Sequence, residues 1–110
     1  FTIVVSSSAL RLMRSRVSSG PMRSISAIVV TYHTGPVLAR SLDALRRQDG
    51  VAEIILVDNG NPEGAIAAAI GRAGEGPQIR VIDGQGNVGF AAACNLGARA
   101  ASGDILLFIN

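Results

Sequence analysis

The stretch from Ile54 to Gly64, IILVDNGNPEG, decides the fold of this chain. Its first four residues form a short apolar run rich in β-branched side chains, which predicts a strand buried on both faces. The run stops at Asp58, and Asn59–Pro62 has the composition of a turn that precedes a helix. A carboxylate at the end of a buried parallel strand lies where open α/β sheets bind their ligands.

Length and composition limit the kind of protein that this sequence can form. A chain of 110 residues is one domain or part of one. The apolar fraction is 48% and the aromatic fraction only 4%, so we expect a core of Ala, Val, Ile and Leu. The single cysteine, Cys94, excludes an internal disulfide and a cysteine-cluster metal site, and its apolar surroundings predict a buried thiol. No apolar run approaches the roughly 18 residues that span a bilayer.

The net charge of +2 is unevenly distributed along the chain. Residues 1–25 contain four arginines and no acidic residue, whereas residues 26–110 contain six arginines and eight acidic residues. We therefore interpret residues 1–25 as a disordered or wrongly assigned leader, with Met13 or Met22 as the true start. The remainder has no basic patch, which argues against a nucleic-acid partner. The apolar run that ends the sequence suggests a fragment of a longer protein.

Strand and helix patterns alternate after residue 25. The predicted strands are 26–31, 51–57, 78–83 and 104–109, and the predicted helices are 37–48, 63–73 and 89–101. Asp43 and Arg47 are spaced for an i,i+4 ion pair. Asn61 is expected to cap the second helix, with Pro62 at its first position. The order βαβαβαβ predicts an α/β fold with a three-layer, Rossmann-like parallel sheet and right-handed crossovers.

A parallel sheet gathers the carboxyl ends of its strands at one edge, which here collects most of the polar candidates. Asp58 is suited to accept a hydrogen bond from the imide N–H of a pyrimidine base or from a ribose hydroxyl. The alternative is a turn-forming aspartate that binds its own backbone. Tyr32 is suited to stack on a base or to pack as an ordinary aromatic residue, and we expect His33 to be a solvated loop residue.

The loop Gly84–Gly89, GQGNVG, matches the GxGxxG pattern and lies between a predicted strand and a predicted helix. Asp104 follows Gly84 by 20 residues, but it precedes its strand, whereas a ribose-binding acid follows one. A dinucleotide- or S-adenosylmethionine-binding enzyme that uses Gly84–Gly89 remains the alternative function. In either case, the loop's N–H groups at a helix start are suited to face a phosphate.

Four segments in this order resemble the N-terminal half of family 2 glycosyltransferases of the GT-A fold. They are VVTY at 29–32, EIILVDNG at 53–60 with Glu63-Gly64, NVGFAAACNLG at 87–97, and GDILLFIN at 103–110. The sequence at 89–91 and 108–110 is similar to the rhamnosyltransferase-like branch. We therefore expect residues 26–110 to be the nucleotide-sugar-binding part of an incomplete GT-A domain.

The resemblance assigns roles to particular residues. It implies that Thr31, Tyr32, Asp58 and Asn59 form the pocket for the donor's base. It implies that three further residues border the nucleotide, namely Asn87, Gly89 and Asn95. Asn110 resembles the first position of a truncated Asn-x-Asp motif that holds Mg²⁺ or Mn²⁺. His33 and Asn61 depart from the family pattern, which commonly has Asn and Ser at these positions.

The resemblance also implies an activity. Enzymes of this type transfer a sugar from a nucleotide-diphosphate donor, here a UDP- or dTDP-sugar, to a saccharide or lipid-linked acceptor hydroxyl. The expected reaction is inverting and metal-dependent and belongs to cell wall or polysaccharide biosynthesis. The catalytic base is expected beyond Asn110, so the fragment should be inactive alone. The implied location is cytoplasmic, at the inner face of the membrane, with membrane association through a missing C-terminal part.

Overall fold

The computed structural model describes residues 2–5 and 24–109, and describes side chains within 24–109. It contains five strands: β1 (Thr2–Val5), β2 (Ile25–Tyr32), β3 (Val51–Gly60), β4 (Ile79–Ile82) and β5 (Ile105–Ile109). The helices are α1 (Val37–Arg46), α2 (Ala65–Arg72) and α3 (Phe90–Ala100). The predicted alternation of strands and helices after residue 25 is therefore confirmed.

The strands form one parallel sheet in the order β1-β5-β2-β3-β4. The edge strand β1 was not predicted, because its four residues were assigned to the leader. It pairs along β5, from Thr2 opposite Leu106 to Val5 opposite Ile109. Residue 1 and residues 6–23 of the predicted leader lie outside the described residues, as does Asn110.

The fold has three layers because its crossover connections run in two opposite directions along the sheet. The connections β2-α1-β3 and β3-α2-β4 move along the sheet in one direction, and α1 packs against α2. The connection through α3 returns past β3 and β2 to reach β5, and α3 contacts β2 and β3. Since right-handed crossovers in opposite directions place their helices on opposite faces, the sheet is covered on both sides. The three-layer prediction is confirmed.

Each face of the sheet has its own apolar core. The larger core includes Leu42, Leu45, Ile54 and Leu56, and lies under α1 and α2. The smaller one includes Ile28 and lies under α3, with Cys94 packed against it. Cys94 is only partly buried, and burial raises the pKa of its thiol. Ile54, Ile55, Leu56 and Val57 are fully buried, which confirms the double-faced burial expected of this run.

Several element boundaries differ from those predicted, and two of the differences concern the carboxyl edge of the sheet. β3 continues beyond Val57 to Gly60, because Asp58 and Gly60 still pair with the end of β2. α2 begins at Ala65 with Gly64 as its N-cap, so the predicted capping by Asn61 is wrong. The Asn61 side chain contacts the ends of β2 and β3 instead. The predicted ion pair between Asp43 and Arg47 is confirmed.

No helix within residues 2–5 and 24–109 has the length and apolarity required to cross a membrane.

Gly97 allows α3 to approach the sheet closely. A methyl group added at this position would overlap Cγ2 of Ile28 and would lie 3.3 Å from Cγ2 of Val57. Both neighbours are fully buried, so neither can move aside without disturbing the smaller core. Gly71 in α2 is the opposite case, because nothing lies within 4 Å of an added methyl group there.

We expect Gly97→Ala to lower the free energy of unfolding by about 1–3 kcal/mol, because it overpacks the contact between α3 and the sheet. The matched control, Gly71→Ala, should raise it by about 0.5–1 kcal/mol, because alanine is the better helix former. Urea denaturation followed by circular dichroism measures both changes. A neutral Gly97→Ala variant would contradict the proposed close contact.

Glu53 connects four segments at the amino-terminal edge of the sheet. Its carboxylate accepts hydrogen bonds from Ser26 Oγ at 2.5 Å, from Ser102 N at 2.7 Å and from Ser102 Oγ at 3.0 Å. Arg80 Nη2 binds it at 2.8 Å and also donates to the carbonyl of Ala100 at 2.6 Å. Desolvation raises the pKa of Glu53, but the hydrogen bonds outweigh it and lower that pKa from 4.5 to about 2.

This network predicts a specific loss of stability in acid. Because the pKa of Glu53 is lower in the folded than in the unfolded chain, its contribution is complete above about pH 4.5 and is lost as the pH falls towards 2. We expect Glu53→Gln to lower the free energy of unfolding by roughly 1–3 kcal/mol at neutral pH. In this variant the free energy of unfolding should also fall less steeply as the pH decreases over this range. Urea denaturation between pH 2 and 7 tests this, with Glu63→Gln, at an exposed position, as control. An equal decline in both variants would contradict the role of Glu53.

Candidate functional site

A cavity of about 280 Å³ lies at the carboxyl edge of the sheet, beside the ends of β2 and β5. The direction of the crossovers reverses between these two strands, because β2 leads on to β3 while β5 is reached by the returning connection. Ligands of open α/β sheets bind in the crevice at such a reversal. The cavity is lined by Val29, Val30, Thr31, Tyr32, Thr34, Val37, Leu38, Ser41, Asn59, Asn87, Phe90 and Ile109.

The lining combines an apolar wall with hydroxyl and amide groups. The apolar side chains come from β2, β5 and the first turns of α1 and α3. The polar side chains include Thr31, Asn59 and Asn87, which were predicted from the sequence as site residues. No lining residue is charged, so the cavity offers a ligand an apolar wall and neutral hydrogen-bonding groups.

Tyr32 stands at the mouth of this cavity with 55% of its surface exposed. Its ring meets the imidazole of His33 edge-on, with the ring centroids 4.6 Å apart. His33 is exposed, as expected, and adopts a left-handed backbone conformation with φ of 46°. An exposed aromatic ring beside a cavity can stack on a planar ligand.

Gly60 is required where β3 passes beneath the ring of Tyr32. It has a φ of 139°, which L-amino acids rarely adopt, and an added Cβ would lie 3.2 Å from Cδ1 and Cε1 of Tyr32. The backbone N–H of His33 donates to the carbonyl of Gly60 at 2.9 Å, which holds the two strand ends together. Gly60 therefore positions the tyrosine ring by allowing the backbone to lie against it.

Asp58, at the end of β3, is not part of the lining of the cavity, although its neighbour Asn59 is. Its Oδ1 accepts hydrogen bonds from the backbone N–H of Gly60 at 2.9 Å and from Nδ2 of Asn61 at 2.7 Å. The first of these is the turn interaction that was the alternative to a ligand-binding role. Within residues 24–109, however, no group donates a hydrogen bond to Oδ2. The turn interaction and a ligand-binding role are compatible, because the turn uses Oδ1 and a ligand would use Oδ2.

Asn59 is the extra residue of a β-bulge. Thr31 pairs with Asp58 and Tyr32 pairs with Gly60, so Asn59 has no partner on β2. The bulge directs its buried side chain, which is 3% exposed, so that Nδ2 donates to the carbonyl of Gly89 at 3.2 Å. Bulges next to binding sites commonly redirect a side chain in this way. Asn59 thereby connects the end of β3 to the start of α3.

Gln85 reinforces the same connection from the glycine-rich loop. Its Nε2 donates to the carbonyl of Asp58 at 2.8 Å and to Oδ1 of Asn59 at 3.3 Å. Asn87 Oδ1 accepts a hydrogen bond from the backbone N–H of Gly89 at 3.1 Å. The loop is thus held against β3, and its last residues line or border the cavity.

The structure brings together some predicted site residues and leaves others apart. Thr31, Tyr32, Asn59 and Asn87 surround the cavity, and Gly89 is joined to it through Asn59. Asn95 is exposed in the middle of α3 and is outside the lining.

The sequence prediction missed several other residues at this edge, namely Thr34, Val37, Asn61, Gln85 and Phe90. For Asn61, a usable signal was its spacing of three residues from Asp58 within a turn. For the others the sequence carried no separate signal.

No cluster of three or more His, Cys, Asp or Glu side chains occurs among the described residues. Mg²⁺ and Mn²⁺ prefer carboxylate oxygens, whereas the cavity offers only amides and hydroxyls. The metal prediction therefore depends on Asn110, which lies outside the described part of the chain.

Comparison with protein families shows the family to which the chain is related. The model of the family described as Glycosyl transferase family 2 matches residues 26–110. The chain belongs to glycosyltransferase family 2. Searches of curated proteins and of solved structures found no match. The α/β sheet with interleaved helices agrees with a Rossmann-like GT-A fold, and membership implies a nucleotide-sugar donor and an acceptor.

The position of the glycine-rich loop does not favour the dinucleotide alternative. The loop follows β4, an edge strand, whereas the reversal of the crossovers lies between β2 and β5. Asp104 lies at the opposite edge of the sheet, where its backbone N–H binds Ser24 Oγ at 3.2 Å. Asp104 is therefore not placed for a ribose at the cavity.

We expect Gly60→Ala to lower the free energy of unfolding by about 1–3 kcal/mol and to displace the ring of Tyr32. Tyr32 is the only tyrosine and the chain has no tryptophan, so intrinsic fluorescence reports this ring alone. Gly64→Ala is the control, because Gly64 also has a positive φ, of 81°, but has no neighbour within 4 Å. Both variants should lose stability, whereas only Gly60→Ala should change the tyrosine emission. Unchanged emission in Gly60→Ala would contradict the contact.

Proposed function

We propose that this chain is the donor-binding part of an inverting glycosyltransferase that uses a UDP- or dTDP-sugar. The observation that carries the proposal is the cavity at the reversal of the crossovers, with the chain's only tyrosine at its mouth and with Asp58 on the neighbouring strand β3, beside the lining residue Asn59. The proposed acceptor is a saccharide or lipid-linked hydroxyl. A rhamnosyltransferase-like donor sugar and a role in cell wall or polysaccharide biosynthesis are further parts of this proposal.

The base of the donor is proposed to lie over Tyr32, with its edge towards Asp58. An ionised carboxylate only accepts hydrogen bonds, and Oδ2 of Asp58 is the oxygen left open for one. Uracil and thymine both carry an imide N–H at N3, whereas cytosine has an acceptor at that position. This chemistry favours uridine and thymidine nucleotides over cytidine nucleotides.

The diphosphate is proposed to lie between Tyr32 and the start of α3. The first turn of α3 has unpaired backbone N–H groups, and the positive end of its dipole favours an anion. Asn87 contributes an amide to the cavity on this side. The family commonly uses divalent cations, and Mg²⁺ or Mn²⁺ would be held by Asn110 and residues beyond it.

The proposed contribution of this chain to transfer is binding and orientation. Thr31, Tyr32 and Asp58 would fix the nucleoside, so that the anomeric carbon of the sugar points away from the sheet edge. In an inverting displacement, a base removes the acceptor's proton as its oxygen attacks that carbon from the side opposite the nucleotide. This base is expected beyond Asn110. The proposed location is cytoplasmic, at the inner face of the membrane.

We expect UDP or dTDP to quench the fluorescence of Tyr32, because the base stacks on its ring. Titration of the full chain with each nucleotide, with and without Mn²⁺, measures the affinity. Asp58→Ala should weaken binding about tenfold or more, because it removes the acceptor for the imide N–H.

Asp83→Ala is the matched control for this titration. Asp83 is also an aspartate that follows a strand at the carboxyl edge of the sheet, but it follows β4, far from the reversal of the crossovers. Its removal should leave the affinity within about twofold of that of the unmodified chain. Equal losses in both variants would show a general effect of charge and would overturn the role of Asp58.

A further inference from the structure

The side chain of Asn61 uses its whole hydrogen-bonding capacity at the carboxyl edge of the sheet. Its Nδ2 donates to Oδ1 of Asp58 at 2.7 Å and to the carbonyl of Thr31 at 3.3 Å. Its Oδ1 accepts from the backbone N–H of Thr34 at 3.3 Å and from Oγ1 of Thr31 at 3.4 Å. A primary amide has two N–H bonds to donate and two lone pairs to accept with, so every one is engaged.

The surroundings of this amide determine which way it points. The N–H of Thr34 faces one end, so this end must be the oxygen. The carbonyl of Thr31 and the carboxylate of Asp58 face the other end and can only accept, so this end must be the nitrogen. The hydroxyl of Thr31, which is 1% exposed, also bonds to that of Thr34. In a flipped amide, the NH₂ group would face the N–H of Thr34, and the oxygen would face the carbonyl of Thr31 and the carboxylate of Asp58.

Asn61 consequently restrains the carboxylate of Asp58. Two donors, Gly60 N and Asn61 Nδ2, converge on Oδ1 and hold the carboxylate in one orientation. The other oxygen is then directed away from this pair of donors. Hydrogen bonds to a charged group are stronger than those between neutral groups, so the restraint on the carboxylate is substantial.

We propose that Asn61 is a positioning residue, which presents Oδ2 of Asp58 to the imide N–H of a uracil or thymine base. This inference rests on the proposed function and deepens it, because it assigns base selectivity to the pair of side chains rather than to Asp58 alone. Without Asn61 the carboxylate turns, and its preference for an imide N–H over the N3 acceptor of cytosine is weakened.

The isosteric variant Asn61→Asp tests the proposal. It keeps the shape of the side chain but replaces the donor that faces Asp58 with a second carboxylate. Two adjacent carboxylates repel one another, and one of them binds a proton more readily. Protonation restores an O–H that can donate to its neighbour. We therefore expect UDP affinity to fall about tenfold or more at pH 8, relative to the unmodified chain, and to recover towards pH 5.

Dividing the UDP affinity of the variant by that of the unmodified chain at each pH removes effects of pH that the two proteins share. The phosphates of the ligand titrate equally in both measurements. His33, on the turn after β2, and Glu63, on the turn before α2, are the nearest titratable residues in sequence on the adjoining turns and are present in both proteins. A purely structural role for Asn61 would give a constant ratio across this range.

Asn61→Ala is the second variant, because it removes both N–H donors of the Asn61 amide without adding a charge. It should lose UDP affinity about tenfold with no recovery in acid, and its preference for UDP over CDP should fall by a similar factor. Circular dichroism melting of both variants shows whether they fold.

Each outcome decides between the proposals. The positioning role is supported if UDP affinity recovers in acid in Asn61→Asp but not in Asn61→Ala, and if Asn61→Ala has a reduced preference for UDP over CDP. If Asp58→Ala loses affinity while both Asn61 variants keep theirs, or if both Asn61 variants unfold, the positioning role is overturned and the proposed function stands. If the unmodified chain binds neither UDP nor dTDP, both proposals fail.

Discussion

The parallel pairing of β2 with β3 is the interaction on which the rest of the structure depends. It joins Ala27–Val30 to Ile54–Val57 in continuous register, and these residues contribute to the apolar cores on both faces of the sheet. The register shift at the end of this pair leaves Asn59 as a bulge between Asp58 and Gly60. The same pairing therefore builds the core and sets the directions of the side chains at the proposed site.

The two edges of the sheet illustrate different uses of polar groups. At the amino edge, Glu53 binds Ser26, Ser102 and Arg80, so its charge is satisfied by partners within the protein. At the carboxyl edge, Oδ1 of Asp58 accepts two hydrogen bonds, whereas no group within residues 24–109 donates one to Oδ2. A polar group that is fully satisfied stabilises the fold, whereas one that is half satisfied can also recognise a ligand.

The proposed donor site is assembled from segments that are far apart in the sequence. Asp58, Asn61 and Thr31 share one hydrogen-bonded network, while Asn59 and Gln85 attach the glycine-rich loop to the same strand. The two networks meet at consecutive residues of β3.

The sequence by itself determined the α/β alternation, the parallel sheet and the edge at which the polar residues gather. These follow from local periodicity and from the rule that parallel strands end together. It did not predict β1, because a short segment of four residues in an arginine-rich stretch becomes a strand only when the edge of β5 is available to pair with it. It also assigned Asn61 to a helix cap, since Asn-Pro before an alanine-rich helix is locally consistent with one.

Only the tertiary structure decided what the residues at this edge contact. Pairing of β2 with β3 brings Thr31 and Thr34 to Asn61 across about 30 positions, and the bulge sends Asn59 towards Gly89. Hydrogen bonds between distant segments depend on register and on bulges, neither of which is encoded by residue type at one position. Asp58 was recognisable as a strand-end carboxylate from the sequence, but the structure was needed to show which of its oxygens remains open.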